Sequence, residues 1–161
     1  MRAGGQKHLL VDGSNIMHAW PELRALLKDD RDTARSRLSQ AVRILHDVEQ
    51  IRVTIVFDGR GTELSVEKPS GHATFAHIHT PAGTTADDVI VQLVRKARHP
   101  ADCVVATDDR AERQAVETLG GAGLSSEDLA SWVGRAGKRQ EVRLDDRRRD
   151  NDATWRKREK A

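Results

Sequence analysis

The sequence predicts an α/β fold: a central parallel sheet with helices on both faces, wound from right-handed βαβ units. Three observations carry this. Short apolar runs alternate from end to end with longer stretches of helical period. The runs are rich in Val and Ile and are mostly flanked by Gly or acidic residues. Aromatic residues are confined to Trp20, Phe57, Phe75, Trp132 and Trp155, so the core must be built from Val, Leu, Ile and Ala, the composition of a sheet covered on both sides.

His8–Asp12 (HLLVD) reads as the first strand, closed by Gly13, and the polar cluster Gly13, Ser14 and Asn15 suits a loop that approaches a ligand. Residues 32–50 place Ala34, Leu38, Ala41, Val42, Leu45 and Val48 on one helical face, the mark of a core-facing stripe. Residues 52–58 (RVTIVFD) form a second strand ended by Gly59, and 59–71, which has no clear period, reads as a long loop. Phe75–His79 is a shorter strand, stopped by Pro81 and Gly83. Residues 85–99 repeat the helical stripe with Ala86, Val89, Ile90, Leu93, Val94 and Ala97. A fourth strand at 102–107 (DCVVAT), a weaker helix at 111–119, a short strand at 121–124 and a helix at 127–133 complete the pattern. The apolar period fades after Gly134, so residues 1–134 are expected to form the domain and 135–161 a flexible basic tail.

Charge follows the same division. Residues 135–161 hold 11 Lys/Arg against 6 Asp/Glu, a net +5, while the remainder holds 16 against 19, a net −3. Such a tail adds sequence-independent attraction for phosphates, or is simply a solvated extension. The single cysteine, Cys103, excludes an intrachain disulfide and points to a reducing compartment. The longest apolar run near the N-terminus, Leu9 to Val11, is too short for a signal peptide or a membrane span, so no membrane and a cytoplasmic location are expected. There is no CxxC pair, no P-loop and no GxGxxG.

In an open parallel sheet, active sites form at the carboxyl ends of the strands, and here those ends are acidic. Asp12 closes the first strand, in VDGSN, and Asp58 the second, in VFDGR. Asp87 and Asp88 open the helix after the third, and Asp108 and Asp109 follow the fourth. Gathered carboxylates repel one another unless a cation stands between them. Their hard oxygens suit Mg²⁺ or Mn²⁺, which activate water and offset charge on a phosphodiester. Each group also has a structural reading. Thr84 with Asp87, or Thr85 with Asp88, fits a capping box. Asp109 with Glu112 can begin the next helix, which would leave Asp108 for the site. Asp58-Gly59 is common turn chemistry. Asn15 can hold Asp12 through a hydrogen bond or cap the next segment. His77 and His79 alternate along a strand and share a face, as surface or cleft histidines do more often than a metal pair. Ser14 has no histidine partner for a hydrolase triad, and its place two residues after Asp12 argues against an aspartyl phosphotransferase.

The order VDGSNIMHAW, VFDGRG, TPAGTTADDVIVQLV, VVATDDRAERQAV and GAGLSSEDLASWV resembles the NYN domain of the PIN-like nuclease superfamily, in its YacP-like bacterial branch, over about residues 8–134. The resemblance implies a Rossmann-like three-layer domain with a carboxylate site for one or two divalent ions. It implies an endoribonuclease, or an RNA-binding module derived from one, associated with mRNA decay on the ribosome. Matched by position, Asp12, Asp87 and Asp108 are the implied catalytic and metal-binding residues, with Asp58 auxiliary and Asn15 supporting. Asp88 and Asp109 are neighbours whose register stays open.

The expected activity is therefore Mg²⁺- or Mn²⁺-dependent cleavage of single-stranded RNA, leaving a 3′-hydroxyl and a 5′-phosphate as the resemblance suggests. The expected metal ligands are Asp12, Asp58, Asp87, Asp88 and Asp108, supported by Asn15 and Asp109. Arg60, Lys68 and Arg110 lie near the proposed edge as candidates for phosphate contact. A non-catalytic RNA-binding module is the alternative.

Overall fold

The structure is a computed structural model that describes residues 6–159, with side chains as far as Thr154. Residues 1–5 of the expected domain, and 160–161 with the side chains of 155–159 in the expected tail, lie outside that description. The chain runs β1 (His8–Asp12), α1 (Gly13–Ala19), α2 (Pro21–Asp29), α3 (Arg31–Glu49), β2 (Arg52–Phe57), β3 (Ser65–Glu67), β4 (Phe75–His79), α4 (Ala86–Lys96), β5 (Cys103–Ala106), α5 (Arg110–Thr118), β6 (Ala122–Leu124) and α6 (Ser126–Glu159). A six-stranded sheet has the order β3-β4-β2-β1-β5-β6. Five strands are parallel, and β3 pairs antiparallel with β4.

Alternation along the strands divides the core into two layers. Leu9, Val11, Val53, Ile55 and Phe57 face α1, α2, α3 and α6, whose Ile16, Leu23, Leu38, Val42, Leu45 and Leu129 close over them. Leu10, Val56 and Val105 face α4 and α5, through Ile90, Val94 and Val116. β1 lies between β2 and β5 and is buried on both faces, so Asp12 emerges at the middle of the sheet edge.

Each helix starts where local chemistry sets it. Asp30 caps α3 by accepting from the Asp32 and Thr33 N–H groups, and α3 ends at Gln50 in the left-handed region (φ 55°). Thr85 caps α4 and Asp109 caps α5. Pro21 opens α2, where its missing N–H is harmless.

Four features depart from the expectation. The polar cluster after Asp12 is the first turn of α1 rather than a loop. Its Gly13 is required by packing: a Cβ there would stand 2.5 Å from the Phe57 ring. Residues 21–29, unassigned by pattern, form α2. The long loop at 59–71 contains β3, whose three residues are all exposed, so no burial period marks it. Finally, α6 continues through Gly134 to Glu159. Ala136 is fully buried in the core layer beneath it, and Arg139 pairs with Glu49 of α3, so packing persists past the point where the apolar stripe thins. Among the described residues no helix is long and apolar enough to cross a membrane.

Ala136→Asp should therefore lower stability by about 3 kcal/mol or more, because it buries an unpaired charge, whereas Val142→Asp, at an exposed position of the same helix, should stay within about 0.5 kcal/mol. Urea unfolding of the two variants checks this. Equal midpoints would mean that the helix beyond Gly134 is not part of the packed domain.

Candidate active site

The parallel strands bring their carboxyl ends to one edge, and the first turns of α1, α4 and α5 meet there. Between them lies an open cleft of about 340 Å³ lined by Asp12, Asp58, Asp87 and Asp109, with Ser14, Asn15 and His18.

Asp12 ends β1 and caps α1, accepting from the Asn15 N–H at 3.2 Å, and is only 7% exposed. Asp58 follows β2. Its Oδ2 accepts from Ser14 Oγ at 2.8 Å and its Oδ1 from the Ala86 N–H at 2.9 Å, so its carboxylate joins the start of α4 to α1. Asp87 lies in the first turn of α4. Asp88 is exposed, does not line the cleft, and has its N–H bonded to Thr85 Oγ1, so the Thr85–Asp88 spacing is the one used for capping.

In the acidic pair after β5, Asp109 begins α5 as its spacing to Glu112 predicts, but it is Asp109 and not Asp108 that lines the cleft. Asp108 accepts from both the N–H (2.8 Å) and the Oγ (2.6 Å) of Ser126, so both carboxylate oxygens are committed to the start of α6. Asp109 caps α5 through the Ala111 and Glu112 N–H groups, using one oxygen, and lines the cleft. Asn15 serves both neighbours. Its N–H bonds Asp12, while its side-chain oxygen accepts from the Asp108 N–H at 2.9 Å, tying α1 to the end of β5.

Glu112, read from the sequence only as a helix-start residue, is 3% exposed and packs its carboxyl against that of Asp12. Both its oxygens are buried and neither accepts a well-formed hydrogen bond, with only the pull of the nearby Thr107 hydroxyl favouring the charged form. An acceptor facing an acceptor is satisfied only by a proton or a cation between them. Burial, then the contact with Asp12, pushes the Glu112 carboxyl up to about 9. Asp12 is also raised, by burial first and then by the Asp58 and Asp87 charges, against the pull of its bonds to Glu112 and Asn15. His18 is a second residue the sequence reading missed: it lines the cleft one helical turn from Ser14, donating from Nδ1 to the Ser14 carbonyl at 2.7 Å.

The donor set suits a hard divalent cation in chemistry and place, with the facing Asp12 and Glu112 carboxyls at the back and Asp87 and Asp109 on the walls. Among the described residues no three such side chains already converge on one point. His77 and His79 do share a face, but each is engaged within the protein. His77 bonds Ser39 Oγ, and His79 stacks on Phe57 and faces Glu67. Of the basic candidates, Arg60 lines an adjoining cavity, Lys68 lies on the exposed turn after β3, and Arg110 borders a separate depression with Arg113.

The model of the YacP-like NYN domain family matches residues 9–160. The protein YacP of Bacillus subtilis (strain 168) is 31% identical over 137 residues, 84% of this chain and 80% of the relative. Two crystal structures of Rae1 (YacP) from Bacillus subtilis superpose on the fold. One has a TM-score of 0.74 at 29% identity, covering 92% of this chain and 85% of that one. The other, a single-residue variant, has a TM-score of 0.72 at 30% identity, covering 88% and 83%.

The carboxyl pair has a consequence for stability. A carboxyl whose pKa rises on folding keeps its proton in the native state after the unfolded chain has lost it. Stability in EDTA should then be highest at low pH and fall as pH climbs from about 5 toward about 9. Glu112→Gln, which supplies a donor to Asp12, should flatten that decline. Thermal midpoints across this range test it, and an equally steep decline in the variant would refute the pairing.

Proposed function

Because the chain belongs to the YacP-like NYN domain family, a family of PIN-like nucleases, we propose that it is a divalent-metal-dependent endoribonuclease acting on single-stranded RNA. The observation that carries this is the buried Asp12–Glu112 carboxyl pair, set behind an acidic cleft at the carboxyl edge of the sheet. A fold retains such a pair at a cost, since Asp12 takes one N–H from Asn15 and neither Glu112 oxygen is well bonded, so the facing carboxyls still need a shared partner. A divalent cation provides one.

Asp12 and Glu112 would hold Mg²⁺ or Mn²⁺, with Asp87 and Asp109 as further ligands, direct or through water. The chemistry such an ion supplies is activation of a water and relief of the charge that builds on the phosphodiester. The chain's own residues keep that reaction in place. Asp58 fixes the spacing of α1 and α4, Asn15 fixes α1 against the end of β5, and Asp109 holds its carboxylate at the wall by capping α5. Hydrolysis in this sense leaves a 3′-hydroxyl and a 5′-phosphate. A cytoplasmic site of action, with messenger RNA on the ribosome as the natural substrate, accords with this reading. The second reading is a non-catalytic RNA-binding module, favoured by the separation of the acidic side chains, no three of which converge among the described residues.

Incubation of the chain with labelled single-stranded RNA, in Mn²⁺ or in EDTA, separates the two. Cleavage should require the ion. Asp12→Asn should reduce it by at least about 100-fold while leaving the fold intact, because Asn caps a helix as well as Asp does. RNA binding without metal-dependent cleavage would sink the enzyme reading and leave the module. The register after β5 gives a finer test: Asp109→Asn should slow cleavage more than Asp108→Asn, and the reverse order would place Asp108 at the ion.

A further inference from the structure

Beside the acidic cleft, and sharing Asp58 with it, lies a second cavity of about 510 Å³ between the start of α3 and the turn after β2. Its wall carries Arg31, Arg35 and Arg60 together with Asp32, Asp58 and Glu63. Formal charges there balance, yet they are not paired. Among the described residues none of the three guanidinium groups forms an ion pair with a carboxylate. The Asp58 carboxylate is spent on Ser14 and Ala86 instead.

Arg35 is the centre of this cavity. Its Nη2 donates to the Asp58 carbonyl at 2.8 Å, and its guanidinium carbon lies over the Phe57 ring, 5.3 Å from the centroid. Its Nε is buried with no acceptor. A guanidinium carries five donors and cannot lose its charge, so a buried N–H without an acceptor marks a place where one is missing. Its charge feels Arg31 and Arg60, which repel it, and Asp32 and Asp58, which attract it without forming an ion pair. Three guanidinium groups around one cavity, none of them ion-paired and one with an orphan donor, suit an oxyanion able to accept from several N–H groups at once.

We propose that this cavity holds a phosphate of the RNA backbone adjacent to the one at the acidic cleft, with Arg35 as its fixed donor and Arg31 and Arg60 at its mouth. The assignment rests on the nuclease reading above and adds the course of the strand to it. The acidic cleft repels phosphates, so affinity for RNA has to come from beside it. A strand laid across Asp12 has neighbouring phosphates on either side, and those on the Asp58 side arrive at these arginines. The cavity thus sets a requirement for substrates that continue past the cut in that direction.

The test is binding of fluorescent single-stranded RNA over a series of salt concentrations, in EDTA and, on an Asp12→Asn background, in Mn²⁺. The double variant Arg31→Gln/Arg60→Gln removes two exposed charges and should fold normally. Its affinity should fall about 10-fold, and its salt dependence should become shallower by about 0.7 for each phosphate that is no longer neutralised. Arg35→Lys keeps the charge but removes Nε, and should weaken binding with little change in salt dependence. Arg95→Gln, in the last turn of α4, should match the native chain. If the double variant keeps native affinity and salt dependence, the cavity assignment fails while the nuclease reading stands. A native chain that binds no RNA under either condition overturns both.

Discussion

Asp58 stands one residue past the end of β2 and holds three helices there with three different atoms. Its Oδ2 takes the Ser14 hydroxyl of α1, its Oδ1 takes the first N–H of α4, and its carbonyl takes the Arg35 guanidinium of α3. Strand ends in a parallel sheet are separated by the fixed spacing between strands, but the helices that follow them are free to tilt until something ties them down. Here the tie is a single short side chain and the backbone that carries it. The acidic cleft opens on one side of this anchor and the arginine-lined cavity on the other, so the relation between them is as rigid as Asp58 itself.

Against that fixed frame the pair behind the cleft is a liability. Asp12 and Glu112 are both nearly buried and both acceptors, and the neighbouring acid charges make it costlier still to ionise them. A core shaped for stability alone would put apolar or donor groups there. The surrounding layers absorb the penalty, because β1 is covered on both faces and anchored in register by β2 and β5. This is the usual arrangement of a functional site, in which strain is tolerated locally because the scaffold is stable elsewhere.

The elements most legible in the sequence were those with a buried stripe. β1, β2, β4 and β5 announced themselves as apolar runs, and α3 and α4 by their period, because each presents one continuous surface to the core. α1 and α2 did not, since the break at Trp20–Pro21 divides their apolar residues into two short sets. β3 carried no signal because it pairs at an exposed edge and buries none of its side chains. The site shows the same division. Asp12, Asp58 and Asp87 were legible from their places at strand and helix ends. The choice between Asp108 and Asp109 was not, because it is made by Ser126, 18 positions downstream. Glu112 sits where any helix accepts an acid, and only the approach of β1 turns it from a cap residue into a buried carboxyl. Arg35 likewise occupies an ordinary helical position until β2 brings Phe57 and Asp58 against it.

The final helix gives the molecule a mechanical property. Its first residue is clamped by both oxygens of Asp108, the residue next to Asp109 in the cleft wall. From there it runs 34 residues, about 50 Å at the usual rise. Among the described residues its near part, as far as Arg139, is held to α3. The rod is thus held at two places, the Ser126–Asp108 clamp and the α3 contact, and any load on its later turns is borne by those two points.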